Sequence, residues 1–167
     1  HVNWSLSTDT GKIPLSARQT PSPHAEPQPQ LAAVIKRAEE SQEPLRRSVA
    51  FAGNDHRLGA QEAPPADISV FLGTELEGII DAIVGENAYT APEHKSLRIG
   101  VDVLPAIPQD TTDRNRTSPV AFTGNKFEFR MPGSSQSIAG PVTILNTIMA
   151  EELDEFYAQL KDAPDFT

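Results

Sequence analysis

The chain of 167 residues is long enough for one domain with a modest hydrophobic core. It contains no cysteine, which excludes disulfides and thiolate metal sites, and no apolar run approaches the roughly 20 residues that a membrane-spanning helix needs. A formal net charge of −9 disfavours nucleic acid as a partner, because proteins that bind it usually present a basic face.

The chain opens with alternating polar and apolar side chains over residues 1–7. Alternation with a period of two predicts a strand, since successive side chains of a strand point to opposite faces of the sheet. His1, Asn3 and Ser5 would share the polar face.

A proline-rich segment at 12–30 predicts loop or extended chain. Apolar residues at helical spacing then predict a helix over 28–43, which Pro44 is expected to end or kink, with a second short helix to about residue 52. Residues 53–66 place charged groups between glycines and end near two prolines, a composition typical of functional loops.

The middle of the chain predicts a short strand at 68–72 and a helix over 75–84. Thr74 followed by Glu77 has the spacing of a capping box at the start of that helix. Strict alternation of apolar residues predicts a further strand at 97–104.

The last third predicts a hairpin with strands at 120–123 and 126–131, followed by an amphipathic helix over 141–161. In the second hairpin strand, Lys126, Glu128 and Arg130 alternate with apolar residues and therefore share one face.

A carboxylate between two cations stays ionised, so Glu128 can bind a hard cation such as Mg²⁺ while Lys126 and Arg130 hold phosphate or carboxylate oxygens. The alternative is a solvated strand face of alternating charges, with the arginines of this region paired to nearby acids.

Four motifs, in the same order along the chain, carry a resemblance to a known family. They read HVNWSLSTDTG at the start, then GNDHRLGA with EAPPA, then DRNRTSP, and finally NKFEFR followed by GSSQSIAGP. Together they resemble the glutamine synthetases, in particular the type III branch, and the resemblance is weakest over 12–44. It implies that residues 1–167 are part of a catalytic domain that joins glutamate and ammonia with ATP, through γ-glutamyl phosphate.

The resemblance implies a metal and nucleotide site on the matching residues. His1 and Glu128 would bind one Mg²⁺ or Mn²⁺ ion. Asn3 and Ser5 would lie near ATP, although Asn3 stands where many relatives carry a second histidine, and Lys126 matches a basic position beside the nucleotide.

The resemblance also implies roles in substrate binding and catalysis. Arg130 would contact the transferring phosphoryl group and the glutamate side chain, and Arg116 would stabilise phosphate charge. Arg57 would bind the substrate carboxylate. Glu62 matches the glutamate of a flap-like loop, within 53–66, that closes the site and takes a proton from ammonium.

The expected fold is α+β, a largely antiparallel sheet with a polar catalytic face backed by helices. The resemblance implies a cytoplasmic enzyme that forms a homo-oligomeric ring when full length, with no membrane partner. The family's other metal carboxylates precede the residues matched here, so the isolated chain is expected to be incomplete and inactive. Alternatives are a non-catalytic nucleotide- or anion-binding remnant, a module for ring assembly, and a ligase that acts on another amine.

Overall fold

The computed structural model divides the chain into two compact units. One unit comprises His1–Phe71 with Asn115–Thr167, and the other comprises Leu72–Arg114. The residues that the structure describes are 1–11, 15, 29–60, 63–85, 96–97, 107–108 and 117–162. Across these segments, none of the helices combines the length and apolar character that crossing a membrane would require.

Helices and strands both contribute to the fold, which is α+β as predicted. The strands are β1 (Val2–Trp4), β2 (Val70–Phe71), β3 (Ser96–Leu97), β4 (Ile107–Pro108), β5 (Val120–Phe122) and β6 (Phe127–Phe129). The helices are α1 (Pro29–Glu40), α2 (Gln42–Arg47), α3 (Ala52–Asp55), α4 (Thr74–Val84) and α5 (Ala139–Leu160).

The first unit contains a four-stranded sheet in the order β1-β6-β5-β2. β6 pairs antiparallel with both β1 and β5, whereas β2 pairs parallel with β5. The sheet is therefore mixed, and two of its three pairings have the antiparallel arrangement that the sequence predicts.

Two apolar rows cross the three antiparallel strands on one face of the sheet. The register forms them as Val2–Phe129–Val120 and Trp4–Phe127–Phe122, and all six side chains are buried. Helices α1 and α2 contact α5, and residues of all three helices meet this face around a small apolar cavity. Burying a side chain such as Phe129 contributes about 2–3 kcal/mol to folding. The buried indole Nε1 of Trp4 donates to Asn146 Oδ1 at 2.9 Å, which satisfies its one polar group.

Proline positions set the helix boundaries in the first unit. The helix predicted over 28–43 divides at Ser41 into α1 and α2, and Pro44 occupies the first turn of α2, where its missing N–H breaks no helical hydrogen bond. The predicted interruption is present, but it falls at Ser41 instead of Pro44, and α2 ends at Arg47, before the predicted residue 52. Pro141 likewise lies in the first turn of α5, which begins two residues before the predicted start.

The structure confirms the predicted hairpin between β5 and β6, although both strands are shorter than predicted. Thr123 N–H donates to the Lys126 carbonyl at 2.9 Å, and Gly124 adopts φ +95° in the turn, a left-handed conformation that favours glycine. The predicted strand at 1–7 is shorter and pairs only over Val2–Trp4.

The second unit contains α4 and the antiparallel pair β3–β4. Helix α4 confirms the predicted helix, but the predicted capping box is wrong. The N-cap is Gly73, and the Glu77 N–H donates to the Gly73 carbonyl at 3.0 Å, because the helix begins one residue earlier than the motif suggests. Of the predicted strand at 97–104, the described part is Leu97, which lies in β3, and the remainder lies outside the described residues.

An ionic cluster joins α1 to α5, and we call it the helix clamp: Lys36, Arg37, Glu152 and Glu155. The Glu152 carboxylate is fully buried, and Lys36 Nζ lies 2.9 Å from each of its oxygens, with Arg37 Nε against one of them. Hydrogen bonds from Lys36, and then from Arg37, lower the pKa of Glu155, and the hydrogen bond to Glu152 is the main reason that the pKa of Lys36 is raised. The helix clamp therefore favours the ionised form of Glu155.

Candidate functional site

The Glu128 carboxylate, in the middle of β6, is held by two basic side chains. His1 Nδ1 lies 3.0 Å from Glu128 Oε1, and Arg130 Nε donates to Glu128 Oε2 at 2.9 Å. We call His1, Glu128 and Arg130 the strand cluster. His1 and Glu128 are 127 positions apart in the chain, and the pairing of β1 with β6 brings them together.

The strand cluster is only partly shielded from solvent. The side chains of His1 and Glu128 are 37% and 23% exposed, whereas that of Arg130 is 4% exposed. Arg130 N–H also bonds to the Pro119 carbonyl at 2.8 Å, which fixes the backbone at the end of β6. The cluster thus joins a buried, rigid guanidinium to a carboxylate and an imidazole that solvent can reach.

The spacing of the donor atoms suits a shared cation. Two ligand atoms bound to one octahedral ion at about 2.1 Å each lie about 3 Å apart when they are adjacent. The 3.0 Å between His1 Nδ1 and Glu128 Oε1 matches that separation. No group of three or more histidine, cysteine or acidic side chains that could hold a metal occurs among the described residues, so further ligands would have to come from elsewhere.

Three other predicted site residues lie on or near β1 and the hairpin. Asn3 is exposed and lies directly opposite Glu128 in the register. Ser5 is exposed and donates its hydroxyl to the Asn125 carbonyl at 2.7 Å, so it ties the end of the first strand to the hairpin turn. Lys126 is exposed beside that turn.

Arg57 lies close to the end of β6 but bonds to the protein through two of its nitrogens. Its Nε donates to Asn54 Oδ1 at 3.0 Å, and its Nη2 donates to the Met131 carbonyl. The structure therefore places Arg57 immediately beside the residue that follows Arg130. Two further predicted residues, Glu62 and Arg116, lie outside the described residues.

Comparison with known proteins gives the family. No family model matches the chain. The chain is 52% identical over 153 residues to a protein named Type-3 glutamine synthetase from Dictyostelium discoideum, which is 92% of this chain and 21% of that relative. It is 46% identical over 163 residues to a glutamine synthetase from Bacteroides fragilis (strain YCH46), 96% of this chain and 22% of that relative.

A third relative, named glutamine synthetase from Butyrivibrio fibrisolvens, is 46% identical over 139 residues, 83% of this chain and 19% of the relative. The chain belongs to the glutamine synthetase family. It spans about a fifth of the length of the curated relatives it matches. The type III resemblance carried by the four motifs agrees with the name of the Dictyostelium relative.

Reasoning from the glutamine synthetase motifs missed Asn54. It lies in the GNDHRLGA motif three residues before Arg57, and its side chain is fully buried with three hydrogen bonds. The available signal was a short polar residue in a glycine-bracketed turn, where such side chains often bond to backbone groups.

Proposed function

We propose that this chain forms part of the catalytic domain of a glutamate–ammonia ligase that uses ATP and Mg²⁺ or Mn²⁺. The observation that carries the proposal is the strand cluster, in which His1 and Glu128 meet at the spacing of two ligands of one ion. Family membership supports the same reading through the names of the relatives.

In the proposed site, His1 and Glu128 hold the cation, which when bound neutralises phosphate charge and polarises the transferring group. Arg130 orients Glu128 by donating to Oε2, which leaves Oε1 on the side of His1. Its burial keeps this orientation fixed, and a preorganised charge costs no rearrangement during the reaction.

Nucleotide and substrates are assigned by the resemblance. ATP lies near Asn3, Ser5 and Lys126, and Arg116 stabilises phosphate charge. Phosphoryl transfer needs mainly positioning and positive charge, which these residue types supply.

Glutamate binds through Arg57 and Arg130, because guanidinium N–H groups form charge-assisted hydrogen bonds to carboxylate oxygens. Glu62 takes a proton from ammonium, since only the neutral amine can attack the acyl phosphate. The flap-like loop excludes water from that intermediate. A homo-oligomeric ring is the proposed assembly of the full-length protein.

The proposal is tested in a chimera, in which this chain replaces the matched region of the Dictyostelium relative. Phosphate release is measured with glutamate, ammonium, ATP and Mg²⁺. We expect ligase activity in the chimera and none in the isolated chain. A folded chimera without activity, beside an active parent, would favour the non-catalytic remnant.

A further inference from the structure

The buried Asn54 side chain makes three hydrogen bonds within the protein, and they use both of its N–H donors. Its Nδ2 donates to the Val49 carbonyl at 3.0 Å and to the Met131 carbonyl at 2.9 Å, while Oδ1 accepts from Arg57 Nε at 3.0 Å. A side-chain amide has two N–H donors on its nitrogen. A flipped amide would oppose its oxygen to two carbonyls and its N–H groups to a guanidinium, so one orientation is imposed.

Asn54 and Arg57 both donate hydrogen bonds to the Met131 carbonyl. Arg57 Nη2 donates to Met131 O and also reaches Arg130 O at 3.5 Å. The bonded carbonyls therefore belong to Arg130, which orients Glu128, and to the next residue. Among the described residues, Arg57 Nη1 has no bonded partner, so the arrangement leaves one guanidinium nitrogen for a ligand.

The turn at Gly133 packs closely against the Asn54 side chain. A Cβ on Gly133 would lie 3.1 Å from Asn54 Oδ1, a distance tighter than ordinary van der Waals contact. The absence of a side chain at this position allows the turn after β6 to pack on the amide. The amide is thus held both by its hydrogen bonds and by close packing against the turn.

We propose that Asn54 is a positioning residue for the glutamate site. It locks Arg57 onto the carbonyls at the end of β6, so that Arg57 and Arg130 act as one rigid pair toward the substrate carboxylate. This inference rests on the proposed function, which assigns both arginines to glutamate.

The lock itself is tested without any ligand, by arginine-specific dicarbonyl labelling of the full-length chimera followed by peptide mass spectrometry. In Asn54→Ala we expect Arg57 to label about tenfold faster, the order of effect that follows from losing a hydrogen bond to a charged group. Exposed Arg47 is the internal reference and its rate should not change. Met149→Ala, which removes a buried core side chain, controls for general loosening.

Gly133→Ala is the second variant, and it perturbs the same amide without deleting any polar group. We expect it to accelerate Arg57 labelling in the same direction as Asn54→Ala, by a smaller factor. It keeps the test decisive if Asn54→Ala fails to fold, which circular dichroism would reveal.

Kinetics then test the role of Asn54 in positioning. We expect Asn54→Ala to lower kcat/KM for glutamate by on the order of 10- to 100-fold, as misplaced binding groups commonly do, with the KM for ATP little changed. Because Asn54 acts through Arg57, the double variant Asn54→Ala/Arg57→Ala should be no worse than Arg57→Ala alone, whereas the effect of Met149→Ala should add to it.

Unchanged Arg57 labelling in both lock variants would overturn the proposal, and so would additive losses in the double variant. A chimera that lacks ligase activity before any substitution would contradict the proposed function instead. In that case the rates of Arg57 labelling alone would show whether Asn54 holds Arg57 in place.

Discussion

Two carboxylates in the first unit are each held by two basic side chains but have very different surroundings. Glu152 in the helix clamp is fully buried between two cations, whereas Glu128 in the strand cluster is 23% exposed between a guanidinium and an imidazole. In the helix clamp, both oxygens of the buried carboxylate face permanently charged side chains. In the strand cluster, Glu128 Oε1 faces the His1 imidazole, a side chain that binds metal ions in its neutral form.

The difference in burial distinguishes an ion pair that stabilises the fold from one that is available for function. A buried, fully paired carboxylate costs a great deal when one partner is removed, because a charge is left without compensation. A partly exposed carboxylate can lose its charge at a smaller cost in stability, and can exchange a protein partner for a ligand. Stability should therefore depend on the helix clamp, and metal affinity on the strand cluster.

The largest effect is expected for Glu152→Ala. Removing the buried carboxylate takes from Lys36 and Arg37 the fully buried partner that they share and should lower the free energy of unfolding by about 3 kcal/mol, measured by urea denaturation. Glu151→Ala is the matched control, since Glu151 is the preceding residue, its side chain is 64% exposed, and it reaches Arg37 only at 3.7 Å. An equal loss of unfolding free energy in the two variants would show that the buried Glu152 carboxylate stabilises the fold no more than an exposed one.

The next largest effect is expected for Glu128→Gln, measured as ligase activity of the chimera. We expect a loss on the order of 100-fold, or about 2.7 kcal/mol of transition-state stabilisation. The free energy of unfolding should fall by less than in Glu152→Ala, because glutamine keeps an oxygen that can accept from the buried Arg130 guanidinium. Activity retained within a factor of about two would argue that the strand cluster is only a surface ion pair.

A smaller effect on stability is expected when acidic or basic pH removes a charge from the helix clamp. The folded pKa of Glu155 is below its ordinary value of 4.5, so its contribution to stability is present above pH 4.5 and is lost as pH falls through the lowered pKa. The folded pKa of Lys36 is above 10.5, so its contribution is present below pH 10.5 and is lost as pH rises through the raised pKa.

Urea midpoints of the unmodified chain and of Glu155→Gln measure this directly. The difference between them should be constant at neutral pH and should shrink as pH falls below 4.5. A difference that persists undiminished at lower pH would show that the charge of Glu155 is not what stabilises the contact between the helices.

The smallest effect on stability is expected for Lys126→Ala. The side chain is exposed beside the hairpin turn, so the free energy of unfolding should change by less than about 0.5 kcal/mol. If Lys126 lies beside the nucleotide as proposed, the KM for ATP should rise several-fold while the KM for glutamate stays constant. A rise in both constants, or in neither, would contradict this assignment.

Local patterns predicted much of this fold. Alternation over the first strand and over β6 gave the faces of both strands correctly, and the proline positions predicted the division between α1 and α2. The parallel pairing of β2 with β5 depends on contacts between distant segments, which periodicity does not encode. The capping motif failed because a glycine took the N-cap position one residue earlier.

The candidate site was likewise predicted only in part from the sequence. The resemblance selected His1 and Glu128, and the sheet register brings them into contact. The partners of Arg57 could not be predicted, because they are backbone carbonyls whose positions depend on the tertiary packing of α3 against the end of β6. The helix clamp was missed for a similar reason, since charged residues on two separate helices give no local sign that they pair.

The most direct test of the shared-cation hypothesis is the affinity of the chimera for Mn²⁺, measured by titration with electron paramagnetic resonance. In the chimera the His1 nitrogen lies within a peptide bond, so a free amino terminus cannot chelate the metal. We predict that His1→Ala and Glu128→Gln each weaken Mn²⁺ binding by on the order of 10- to 100-fold, that the double variant is little worse than either, and that exposed His56→Gln has no effect. Unchanged Mn²⁺ affinity in both single variants would contradict the account.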